Sequence, residues 1–230
     1  YIGVLTLMSD IYYIRSRDEY IGWDKNIKNK KLIYMMNITT CVGVQPLSFN
    51  FNIGKLLTTL CFSREIQNIV KQKYNNYLAC ICTYGLYGKS IQYERLPNIK
   101  YIGKTAGYGI SNFDSKLYDD IISFFNNENI DITKYKLMNS PKMRIIQFAM
   151  KYFDINAEQF INHGNKRGIY CGFFDKGKEF LNNNDDETYN LDLTKIKTID
   201  EITDWWINRW AIQRHANLGK TNRLKTKLEL

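Results

Sequence analysis

Apolar positions recur along this chain with two different periods, and the change of period marks out its elements. Residues Tyr1 to Met8 form a nearly continuous apolar run that predicts a strand. Ser9 to Trp23 is polar and reads as a loop, and Asp24 to Lys31 reads as a short basic helix. Leu32 to Val44 is rich in β-branched residues (Ile38, Thr39, Thr40, Val42, Val44) and predicts a second strand, ended by Pro46. From Gly54 the spacing turns helical. Leu56, Leu57, Leu60 and Cys61 form one stripe, and Ile66, Ile69, Val70 and Tyr74 continue it behind Ser63, an N-cap residue. Tyr77 to Tyr84 is a buried-strand pattern. A glycine-punctuated stretch, Gly85 to Leu96, separates it from a short strand at Ile99 to Gly103.

The second half reads as mostly helical. Residues 114–127 carry a helical stripe. Ser140-Pro141 opens another helix, with Pro at its first position, along Met143, Ile146, Met150 and Phe153. Asn156 with Gln159 caps a short helix. Gly168 to Phe174 reads as a last strand. Thr198 and Glu201 form a capping box ahead of Trp205, Trp206 and Trp210. The order predicts an α/β fold, a mixed sheet with helices on its faces and a helical C-terminal block. On that reading residues 1–113 hold the sheet core and 114–230 a helical extension with a final strand and a basic tail. Tyr1 opens in mid-strand, so an upstream segment is expected.

Composition narrows the picture. The chain has 230 residues, 44% hydrophobic, which is enough for a full core. Its 32 Lys+Arg against 23 Asp+Glu leave a charge of +9, which favours a polyanionic partner such as DNA. With no apolar run of membrane-spanning length and no signal peptide, the expectation is a cytoplasmic protein without a membrane partner. The Asn/Lys/Ile/Tyr-rich usage suits an AT-rich genome or a phage. Cys80-Ile81-Cys82 has strand alternation, placing both sulfurs on one face. The odd count of five cysteines, their apolar settings and the presence of only two histidines argue for buried reduced thiols and no metal site.

Several residues carry candidate chemistry. Asn50 to Lys55 lies between a strand and a helix, where free amides and a helix dipole suit a pyrophosphate, or simply an ordinary helix start. Arg17-Asp18 precedes Tyr20 and Trp23, with Asp18 as a general base or as a salt-bridge partner. His163 and Arg167 flank a glycine-rich turn. There His163 is an acid/base or a turn residue bonded to backbone. Lys89, Lys100 and Lys104 lie among glycines, a setting for phosphate contact or for a solvated loop. Arg209, Arg214, Lys220 and Arg223 form a basic run beside tryptophans.

The order strand, Gly-Lys turn, helix, strand, tyrosine turn, strand resembles the GCN5-related N-acetyltransferase fold. In that family the helix after a splayed strand binds the pyrophosphate of acetyl-CoA, and a tyrosine protonates the leaving thiolate. The resemblance implies Gly54, Lys55 and Leu56 as the cofactor anchor, for acyl-CoA or another phosphate-bearing donor. It also implies Tyr93 as the acid, with Asp18 or His163 as the base. Read from the residues alone, Tyr93 is more readily a sheet-packing aromatic than an acid. The loop has one glycine where that family has several.

A second resemblance spans nearly the whole chain. Arg17-Asp18-Glu19-Tyr20-Ile21-Gly22-Trp23, Gly54-Lys55-Leu56-Leu57, Leu86-Tyr87-Gly88-Lys89-Ser90, Gln92-Tyr93-Glu94-Arg95-Leu96, Gly103-Lys104-Thr105-Ala106-Gly107, His163 to Tyr170, and Trp206 with Arg209-Trp210 occur in order. Together they are similar to the DruA family of the Druantia anti-phage system. It implies a DNA-linked role in phage–host or mobile-element biology, alongside other defence, phage or transposition proteins. Two functions stand: a group transferase acting on nucleic acid, with nucleic-acid contacts at Arg17, Lys89, Lys104, Arg167, Arg209, Arg214, Lys220 and Arg223, or a non-catalytic DNA-binding subunit. A metal-dependent hydrolase ranks last, because Asp10, Asp18, Asp114 and Asp175 are scattered.

Overall fold

A computed structural model describes residues 1–110, 113–138, 140–185 and 187–221. Five strands build one mixed sheet: β1 (Gly3–Ser9), β2 (Met35–Gly43), β3 (Cys80–Gly85), β4 (Lys100–Ile110) and β5 (Asn162–Phe173). Their spatial order is β1-β2-β3-β5-β4. β1 and β2 pair antiparallel, β2 and β3 parallel, β3 and β5 antiparallel. A parallel pair needs a long crossover, and the helices Ile53–Leu60 and Arg64–Tyr74 supply it. The α/β class and mixed sheet follow the sequence pattern.

The chain forms two compact units. One comprises residues 1–106 and 166–230, the other 107–165. The chain therefore leaves the first unit after Ala106 and returns at Lys166, where the sequence pattern suggested a single cut at 113/114. The second unit is built on the helices Ser115–Asn127 and Pro141–Tyr152, around Phe125, Ile132, Ile145 and Ala149.

In the first unit, local signals act as their chemistry requires. Ser63 Oγ accepts from the Ile66 amide at 3.3 Å, and Thr198 and Glu201 complete a capping box that opens the helix Ile199–Trp206. Gln67, fully buried, bonds both backbone groups of Leu78 and so ties the crossover helix to the start of β3. Trp206 packs with Ile53, Leu56, Leu57 and Ile202, so it is a core anchor. Ser9 to Trp23 departs from the loop expected there: Arg15–Ile21 is a helix. Its polar sequence hides this because one of the two residues it buries is Arg17, at 0% exposure, the other being Ile21.

Candidate nucleic-acid interface and ligand cleft

The loop after β3 sets the first arrangement. Gly85 on β3 faces Gly168 on β5. The Gly88 carbonyl lies so close above them that a Cβ would meet it at 2.6 Å on Gly85 and at 2.1 Å on Gly168. Only a glycine pair lets the Leu86–Ser90 loop lie this flat. A Cβ on Gly88 would meet the Lys104 Cε at 4.0 Å, and the Arg167 amide donates to Thr105 Oγ1 at 3.0 Å. Lys89, Lys104 and Arg167 therefore share one end of the sheet, and all three are exposed. The Lys89 ammonium lies 5.0 Å from the Tyr101 ring. Among the described residues, none of the three is in an ion pair.

The same loop leads into a cleft of about 700 Å³, lined in part by Ser48, Asn52, Gly54, Lys55, Gln92 and Arg214. Its floor is the start of the helix Ile53–Leu60, entered through Asn52 in a left-handed conformation. Leu56 is a buried core residue there, so any ligand contact from it would be through its backbone. The Lys55 ammonium donates to the carbonyls of Ile91 and Glu94, both at 2.5 Å. The Gln92 amide donates to the Cys41 carbonyl at 3.1 Å, and a Cβ on Gly54 would meet its Cδ at 2.8 Å. Arg214 donates to the carbonyls of Phe49 and Asn50. Burial, then repulsion from Arg95 and from Arg214, lowers the Lys55 pKa to about 8 against the pull of Glu94.

β2 and β3 part at this cleft. Their ladder runs only from Met35/Cys80 to Ile38/Thr83. Beyond it β2 stays with β1 and β3 with β5. The residues Ile91 to Glu94 fill the gap. Gln92 bonds β2, and the Thr83 hydroxyl on β3 is shared between the Ile38 carbonyl (3.2 Å) and the Tyr93 hydroxyl (3.3 Å). The Tyr93 ring packs 5.0 Å from that of Tyr170, and burial raises its pKa.

Arg17 and Asp18 lie on the opposite sheet face, because the network around them reaches Tyr84, the neighbour of Thr83. All five N–H donors of a guanidinium are used: to Asp10, Ile11, Tyr12 and twice to Asp18, at 2.6–3.1 Å. Asp18 also accepts from Trp23 and Lys28. Asp10 accepts from the Tyr84 hydroxyl at 2.7 Å and the Ile11 amide at 2.8 Å. Burial, then the neighbouring Cys82, raises the Asp10 pKa to about 7, against the pull of Arg17, Tyr84 and Ile11. The three donors converging on it favour the carboxylate against that burial. Burial alone would weaken the Arg17 proton, but Asp10 and Asp18 more than reverse this and keep the guanidinium charged.

These positions revise the sequence expectations. Arg17, expected at a nucleic-acid surface, is buried and fully engaged, and Asp18 is committed to three side-chain donors instead of acting as a base. Tyr93 and Asp18 are on opposite faces, so they do not converge on one centre. His163 lies on β5, but its side chain is outside the described residues, as are the Lys220 side chain and all of Arg223. Arg209 is exposed, 5.9 Å from the Trp210 ring. Sequence reasoning weighed Asp10 only as one of several scattered carboxylates and gave Tyr84 and Arg95 no role of their own. Only the position of Asp10, directly after a strand, hinted at a role.

Residues 1–182 match the family described as Druantia protein DruA. The chain belongs to the DruA family. It is 22% identical over 234 residues to the Druantia protein DruA of Escherichia coli (strain UMEA 4076-1), an alignment covering 93% of this chain. The chain spans 57% of that DruA protein's length. No solved structure matches. Among the described residues of this DruA-family chain, no helix is long and apolar enough to cross a membrane.

Proposed function

We propose that this chain is the nucleic-acid-contacting part of an anti-phage defence protein, gripping DNA through the basic end of its sheet. The observation that carries this is the placing of Lys89 and Lys104 at the Gly85/Gly88/Gly168 contact, with Arg167 next to Gly168 along β5, all three exposed and outside any described ion pair. Phosphate contacts of this kind supply affinity without sequence readout. The exposed Tyr87 on the same loop adds an aromatic face on which an unpaired base can stack. The family name, Druantia, supports a defence setting with further proteins of that system as partners. Photocrosslinking of DNA to the chain, read by peptide mass spectrometry, tests it. Crosslinks are expected at residues 86–91, 100–105 and 166–168. Crosslinks confined to other surfaces would overturn it.

A second reading, group transfer to nucleic acid, draws on the parting of β2 and β3 beside a helix start with Tyr93 between them. That arrangement is similar to an acetyltransferase core, with the cleft as the place for acyl-CoA or another phosphate-bearing donor. Lys55 and Gln92 hold Ile91–Glu94 in the gap, so a donor would have to displace that segment. Unchanged nucleoside masses in DNA from cells expressing the active protein would count against it.

A further inference from the structure

On the sheet face away from the cleft, three thiols meet. Cys80 and Cys82 are two apart on β3, so both point to one side, and Cys171 on β5 is directly opposite Cys82. The Cys80 and Cys82 sulfurs are 3.9 Å apart, those of Cys82 and Cys171 3.1 Å, and all three lie within 4.8 Å of one another. They are at most 2% exposed. A second observation points to the same place. Asn37 on β2 pairs with Cys82 in the parallel ladder, so it belongs to the same cross-strand row. Its side-chain oxygen is buried and has no hydrogen-bond partner among the described residues. A buried, unpaired carbonyl oxygen costs about 1–3 kcal/mol unless something accepts its lone pair.

We infer that Cys80, Cys82 and Cys171 form a binding site for one thiophilic divalent cation, Zn²⁺ by ligand chemistry, with Asn37 Oδ1 supplying the open fourth direction. Tetrahedral zinc with Zn–S bonds of about 2.3 Å sets its sulfurs about 3.8 Å apart. The Cys80–Cys82 separation already matches this, and small side-chain rotations bring Cys171 to it. Binding replaces three S–H protons with one Zn²⁺ and releases them to solvent, leaving a group of net charge −1 beside the Arg17 guanidinium. The ion would join β3 to β5 across the excursion of the chain through residues 107–165, offsetting part of the cost of closing that loop. The site is independent of the proposed DNA contact.

The test uses the full chain, purified in reductant, with metal content read by native mass spectrometry and unfolding followed by circular dichroism. One Zn²⁺ per folded chain is expected, with a raised unfolding midpoint that a chelator reverses. Co²⁺ should give a thiolate charge-transfer band. Loss of an outer-shell partner alone costs roughly 10–100-fold in affinity, so Cys82→Ser and Cys171→Ser should each lose at least that. Cys61→Ser, on the crossover, should leave metal uptake unchanged. A folded wild-type chain that takes up no Zn²⁺, with a midpoint indifferent to Zn²⁺ and chelator, overturns the assignment. So does metal uptake that survives Cys171→Ser. If the serine variants do not fold, Cys171→Ala and the wild-type metal dependence decide the matter.

Discussion

Replacing Arg17 with Met removes one side chain from the most completely satisfied polar network in the chain. The guanidinium is 0% exposed and its five N–H groups serve two carboxylates and two backbone carbonyls. Methionine fills most of the space but leaves Asp10 without its cation and the Ile11 and Tyr12 carbonyls without donors. Lys28 and Trp23 remain on Asp18, so the loss is concentrated at Asp10, whose side chain is itself 0% exposed. Breaking one side of a buried pair costs about 3–5 kcal/mol. In a domain of this size each kcal/mol moves the midpoint by roughly 2–4 °C, so thermal unfolding should shift down by roughly 6–20 °C. Arg17→Lys keeps the charge but not the fork and should lose less. Adding Asp10→Asn to Arg17→Met should recover part of the loss, because the orphaned charge is then gone. Urea unfolding of the four proteins measures this directly. A loss under about 1 kcal/mol, together with weakened DNA binding, would restore Arg17 to the nucleic-acid surface and refute the structural role.

Three further outcomes follow from the geometry. Gly168→Ala drives a Cβ to 2.1 Å from the Gly88 carbonyl, backbone against backbone, so it should cost about 1–3 kcal/mol and weaken DNA binding by misplacing Lys89; equal stability and binding would show the loop to be free of that contact. The folded Lys55 pKa of about 8 lies below its ordinary 10.5, so the unfolded chain binds more protons between those values. Stability should therefore rise across that window, and the rise should vanish in Lys55→Met. Tyr93→Phe leaves the Thr83 hydroxyl its bond to Ile38, so stability should change by less than about 1 kcal/mol. DNA binding and phage protection should persist, whereas their loss at unchanged stability favours the transferase reading.

Where folding is decided locally, the sequence was legible. The first three strands, the Ser63 cap and the Thr198/Glu201 capping box follow from alternation and side-chain reach. The alternation of Cys80 and Cys82 likewise showed that they share a face. What the sequence hid was decided across long separations. The Arg15–Ile21 helix carries a charged pattern because one of its two buried residues is an arginine answered by Asp10, a network that Tyr84 closes from β3, 74 positions beyond Asp10. β5 begins at Asn162, in a polar stretch with turn-like composition, because pairing within the sheet overrides local preference. Cysteine counting could not place Cys171 opposite Cys82, 89 positions away. At the cleft, the Gly54-Lys55 helix start was recognisable, but not that the chain's own Gln92 and Tyr93 fill the gap beside it.

The salt dependence of DNA binding, measured by fluorescence anisotropy for the wild type and for the Lys89→Ala/Lys104→Ala/Arg167→Ala protein, tests the central proposal most directly. Each phosphate contact on duplex DNA contributes about 0.9 to the slope of log affinity against log salt. The triple variant should bind more weakly with a slope shallower by roughly 2–3, while unfolding at the wild-type midpoint. An unchanged slope and affinity in a folded triple variant would contradict the assignment of this end of the sheet as the DNA surface.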